Sequence, residues 1–92
     1  MTTVVHNAAA SRFEALVDGL QCVADYELRR GVMVMHHTYV PAALRDRGLA
    51  AALVREAFAY AASQGLRIRP QCSYVSSYVR RHPETRDLIA SV

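Results

Sequence analysis

Three groups of residues in this chain have types and spacings suited to chemistry. The first is Val40-Pro41-Ala42-Ala43-Leu44-Arg45-Asp46-Arg47-Gly48-Leu49-Ala50, where an apolar strand gives way to a long apolar helix. Its core, Arg45-x-x-Gly48-x-Ala50, sets Arg45, Arg47 and a run of backbone N–H groups at the first helical turn. Those N–H groups have no partner inside the helix, and the helix dipole is positive there, so the turn attracts anions. Gly48 lets a ligand approach without a Cβ in the way, and Ala50 keeps the turn thin. A phosphorylated cofactor would suit such a place. The plainer reading, a surface turn of mixed charge, stays open on these residues alone. The glycine-rich dinucleotide and P-loop patterns are both absent.

The second group is Cys72, which follows a short strand and precedes a short helix. A thiol at a helix N-terminus loses its proton more readily and becomes a nucleophile. The alternative is a small, buried, apolar cysteine, and that reading holds for Cys22, on the apolar face of a strand. The third group is His36-His37. Neighbours on a regular strand point to opposite faces, so the two cannot share a metal, and no metal is expected. One of them could serve Cys72 as a base or orienting group, because their strands are expected to be neighbours. A hydrogen-bonded strand histidine is the alternative. Tyr74 and Tyr78 lie one helical turn apart: Tyr74 reads as core, and Tyr78 as core or as a hydroxyl near a ligand. His6 and His82 read as surface residues.

The elements that must position these groups follow from periodicity. Val4 and Val5 begin a short strand. Arg12 to Val17 alternates, and Asp18-Gly19 is a hairpin signal. Leu20 to Arg29 alternates with Leu20, Cys22, Ala24, Tyr26 and Leu28 on one side, a strand with one wet face. Val32 to Val40 is apolar on both faces and therefore central. Arg47 to Gln64 reads as an alanine-rich helix packed over most of its surface, closed by Gly65. Leu66 to Arg69 is a fourth strand, Ser73 to Arg80 a helix, and Pro83 to Ile89 a last helical turn or two. The expected order is β-β-β-α-β-α. The fold class is α/β in the broad sense, strictly α+β: a mixed, mainly antiparallel sheet with a central helix packed on it.

Composition limits what such a chain can be. Its 92 residues suit one domain, 1–92, and 52% hydrophobic residues supply a core. No apolar stretch is long enough to span a membrane, and the N-terminus has no secretory pattern. Two cysteines 50 positions apart make no disulfide framework, so a reducing, cytoplasmic setting is expected. All 11 basic residues are arginine, the better bidentate ligand for phosphate. The net charge is only +3, no basic run exceeds two residues and aromatics are sparse. A role as a nucleic-acid or protein adaptor therefore rests on the pI of about 9.2 alone. A monomer is expected.

Taken together, the strand order, the Val40-Pro41 entry and Arg45-x-x-Gly48-x-Ala50 resemble motif A of the GCN5-related N-acetyltransferases. His37-Thr38-Tyr39-Val40-Pro41, Arg47-Gly48-Leu49-Ala50 and Pro70-Gln71-Cys72-Ser73-Tyr74-Val75 resemble the small single-domain group of that family, over about Phe13 to Leu88. The resemblance implies a minimal GNAT-like fold and acetyl-CoA or CoA as cosubstrate. It would set the pyrophosphate on Arg45, Asp46, Arg47, Gly48, Leu49 and Ala50. The pantetheine arm would run between splayed strands near Tyr39 and Val40, with Tyr78 at the cofactor. In that group a cysteine at the Cys72 position is the suspected catalytic residue, with His37 assisting. The implied activity moves acetyl from CoA to an unknown amine, either directly or through Cys72. The wider family's N-terminal helices and its glutamate base are not identifiable here. A module that binds CoA or acyl-CoA with little catalysis is therefore the alternative.

Overall fold

The computed structural model describes residues 2–90, so the ends of the expected 1–92 domain lie outside the described residues. Five strands form one sheet in the order β1-β2-β3-β4-β5. They are β1 (Val5–Asn7), β2 (Arg12–Val17), β3 (Leu20–Arg29), β4 (Val32–Tyr39) and β5 (Arg67–Pro70). The first four pair antiparallel, and β4 pairs parallel with β5 across α1 (Leu49–Gln64). Helix α2 (Ser73–Arg81) and a 3-10 segment (Pro83–Leu88) complete the chain. The expected mixed α+β architecture is observed, with β1 as a fifth, short edge strand.

The two tight hairpins turn on left-handed pairs, Asp18-Gly19 and Arg30-Gly31. Both residues of such a turn need positive φ, which an Asp-Gly pair supplies at little cost. Beyond Gly31, β4 is covered on the helix side by Met33 and Met35, both fully buried. Val34, on the other face, is also 7% exposed, as a central strand requires.

Helix α1 buries Leu49, Ala52, Leu53, Val54, Ala57, Phe58 and Ala61 against the sheet. Its other face is exposed at Arg55, Glu56, Ala59, Ala62 and Ser63, which corrects the expectation of packing on most sides. Alanine there reflects helix propensity rather than burial. The helix also starts later than expected, at Leu49. Gly48 has φ 75° and cannot belong to a right-handed helix.

A β-bulge decides where the histidines point. Tyr26 pairs with Met35 and Asp25 with His37, which leaves His36 as the extra residue of β4. The insertion reverses the alternation. Thr38, opposite Ala24, turns to the helix side, and His37, opposite Asp25, turns to the far side. Both His36 and His37 are exposed, contrary to the regular alternation expected of them.

Candidate functional site

The site is built where β4 and β5 part company. Their last paired residues are Met35 and Pro70. There the amides of Gln71 and Cys72 both donate to the Met35 carbonyl, at 3.1 and 3.0 Å. β4 then continues to Tyr39 bonded to β3 alone, so its other edge faces an open fork.

Beside the fork, the chain from Val40 to Ala51 curls around a cavity of about 320 Å³. Val40, Arg45, Asp46, Gly48, Leu49 and Ala50, all expected at a ligand, line it. No side chain caps α1, and its first turn holds no acidic residue. Among the described residues, the first-turn amides thus have no side-chain partner. Nothing lies within 4 Å of where a Cβ on Gly48 would stand. Asp46, at φ 68°, adds a second left-handed residue to the loop, a geometry that gathers successive amides into an anion-binding concavity. Arg45 donates from Nε to the Val40 carbonyl at 3.0 Å, which folds its stem back over the loop. These features fit a ligand carrying phosphate groups.

Three of the expected ligand residues stand elsewhere. Arg47 reaches across to Asp18 on the β2–β3 turn, Nη1 to Oδ2 at 3.1 Å, and leaves the cavity wall. Tyr39 ends β4 with 47% exposure and does not line the cavity. Tyr78 is 5% exposed, packed against Phe58 and stacked on His82 at 4.1 Å. Tyr74 lines the cavity instead, with Arg81 lying 5.7 Å from its ring centroid. The signal was present in the spacing. Val75 and Tyr78 are the buried face of α2, so Tyr74 falls at that face's edge.

Cys72 is the N-cap residue of α2 and is half-buried. Its sulfur lies 3.5 Å from Thr38 Oγ1. Burial pushes the thiol pKa up. The Thr38 hydroxyl and the amides of Val75, Tyr74 and Thr38 outweigh that, so the net shift is downward. No amide makes a formal cap bond to the sulfur, so these amides act at longer range. Cys22 is the contrast: fully buried, with its pKa raised by desolvation.

His37 is not the partner of Cys72. Its Nδ1 lies 2.9 Å from Asp25 Oδ2 on the far face, where Arg12 Nε holds the other oxygen at 3.0 Å. The bulge is the reason, and it is invisible in the alternation of the sequence. Thr38 and Asp25, which contact the two candidate residues, had no role assigned from sequence. Of the other two histidines, His82 keeps a surface position, its side chain 41% exposed and 3.3 Å from Glu84, whereas His6 is half-buried. His6 stacks on Phe13 at 4.2 Å and sits 2.6 Å from the Tyr26 hydroxyl, and desolvation lowers its pKa. His82 stacks on Tyr78.

This arrangement defines a class of α+β domain: a strand–loop–helix turn with uncapped amides, set against a forked parallel strand pair. A family model described as GCN5-related N-acetyl-transferase matches residues 12–88. The chain is 29% identical over 83 residues to Protein NATD1 of Mus musculus, covering 87% of this chain and 76% of that protein. Protein NATD1 of Homo sapiens gives the same identity, with 74% of its length covered. The chain therefore belongs to the GCN5-related N-acetyltransferase family. No helix among the described residues is long and apolar enough to cross a membrane.

Proposed function

We propose that this chain, acting as one domain, binds acetyl-CoA and transfers its acetyl group to an amine. One observation carries the reading: the uncapped N-terminus of α1 lines a cavity beside the fork that holds Cys72. Acetyl-CoA supplies an acetyl group activated as a thioester. The amides of Gly48, Leu49, Ala50 and Ala51, with Arg45, would hold the pyrophosphate. The unpaired edge of β4 from His36 to Tyr39 offers backbone groups to an amide-bearing arm. Asp46 is the carboxylate in the cavity wall, so the amides rather than the side chains supply most of the attraction for an anion.

Cys72 is the candidate nucleophile. Its lowered pKa raises the thiolate fraction, and Thr38 orients the sulfur. His37, held by Asp25, stands on the opposite side of β4, where it is available to take a proton from an incoming amine rather than from Cys72.

Intact-protein mass spectrometry after mixing with acetyl-CoA tests the covalent route. A protein one acetyl group heavier, with the label lost in Cys72→Ala, supports it. Turnover that persists unchanged in Cys72→Ala would leave direct transfer as the mechanism. A domain that only holds CoA would show neither the label nor loss of thioester when amines are added.

A further inference from the structure

A second, larger cavity, of about 450 Å³, opens on the sheet face that α1 does not cover. One row of its lining runs across three strands. Glu27 pairs with Val34, and Val34 with Arg69. Val32 lies two residues along β4, opposite Arg29, and Arg30 stands at the hairpin. The cavity thus has two valines at its centre and three guanidinium groups with one carboxylate around them. That carboxylate is already taken, since Glu27 pairs with Arg29 at 2.7 Å.

Arg69 marks the cavity as a site for an anion. Only two of the chain's arginines, Arg12 and Arg69, are half-buried; the rest are exposed. Arg12 has Asp25 and Glu14 beside it. Arg69 has no carboxylate within 4.0 Å among the described residues. A partly desolvated guanidinium without a counter-charge is costly, and an anionic ligand would remove that cost.

The cavity also has a direction. Its far end is Gln71, the residue before Cys72, at the fork of β4 and β5. The chain turns there, the Gln71 amide donating to the Arg69 carbonyl at 3.1 Å, so Arg69 and Cys72 lie less than about 10 Å apart. A peptide lying along β5 with an acidic side chain at Arg69 would place an amine two or three residues away at the fork. We propose that this groove is the acceptor site and selects an acidic peptide, with carboxylates two to three residues from the amine to be acetylated. The proposal rests on the acetyl-transfer reading of the fork.

Binding of labelled tetrapeptides, followed by fluorescence anisotropy with and without CoA, tests it. The probe has a free N-terminal amine and glutamate at its third and fourth positions; its counterparts carry glutamine or lysine there. The glutamate peptide should bind at least tenfold more tightly than the glutamine one. Arg69→Glu should abolish that preference and turn it toward lysine. Arg30→Glu, on an exposed turn, should act in the same direction if Arg69→Glu does not fold. Equal binding of the glutamate and glutamine peptides, or a preference unchanged in the folded variants, overturns the proposal. Stabilisation by CoA is measured in parallel and should survive in both variants. Its absence from the unsubstituted protein would strike the CoA reading alone, because peptide discrimination is read without CoA as well.

Discussion

At Cys72 two opposing effects meet, and their balance can be measured. Burial disfavours the thiolate, while Thr38 and the α2 amides favour it. Alkylation by iodoacetamide should therefore show a midpoint below that of an ordinary thiol. Thr38→Val should raise the midpoint and slow alkylation at neutral pH, by up to about tenfold if the hydroxyl accounts for one pKa unit. Asp46 gives a second residue-scale expectation. Asp46→Asn keeps a side chain that tolerates the left-handed backbone and removes a negative charge from the cavity wall. CoA should then bind more tightly, by up to about 1 kcal/mol, as an isothermal titration would register. Residue types pointed to Cys72 and to the Arg45–Ala50 loop because thiols, glycine and helix-start amides have distinctive chemistry. Side-chain direction was harder to read. The helical wheel of α2 buries Tyr78 and leaves Tyr74 at the cavity, and nothing in a strand's alternation announces the inserted residue that turns His37 to Asp25.

The loop from β4 to α1 ties these residues to the fold. Gly48 has open space around its missing Cβ, so alanine would cost mainly backbone strain, about 1–2 kcal/mol. Gly48→Ala should lower the unfolding free energy from denaturant titration by that amount and also weaken CoA binding, since the new methyl group enters the cavity wall. Leu53 holds the helix to the sheet and is fully buried. Leu53→Ala should cost about 2–5 kcal/mol, a large part of what a domain of this size has in reserve. Strands and hairpins were readable because alternation and the Asp-Gly and Arg-Gly turns act locally. The start of α1 lies two residues later than the apolar pattern alone indicates, because a glycine's sign of φ is set by the loop it closes. The exposed face of α1 is not legible in its composition, because alanine serves both water and core.

The whole molecule is a single sheet with its helices packed on one face, and the two faces have different tasks. The helix face buries the core and carries the α1 cavity; the far face carries Asp25–His37 and the arginine-lined groove. At the sheet's other edge, His6 ties β1 to Phe13, Tyr26 and Tyr60. Its pKa is depressed in the folded protein and returns to about 6.5 on unfolding, so the unfolded chain binds more protons between the two values. The stability it contributes is present above 6.5 and lost as pH falls through the folded value. Urea midpoints at about pH 7.5 and about pH 5.5 should therefore converge in His6→Phe relative to the unsubstituted protein. The mixed sheet was legible in the sequence because a β-α-β crossover constrains topology strongly; the fork and the far-face groove were not, because both arise from strand register between distant residues. The most direct test of the account is thermal unfolding with CoA. At a hundred times its dissociation constant CoA should stabilise the protein by about 2.7 kcal/mol, raising the midpoint by roughly 10 °C or more. A reduced rise in Gly48→Ala at the same CoA concentration would locate the effect at the α1 N-terminus, and no rise at millimolar CoA in the unsubstituted protein would contradict the account.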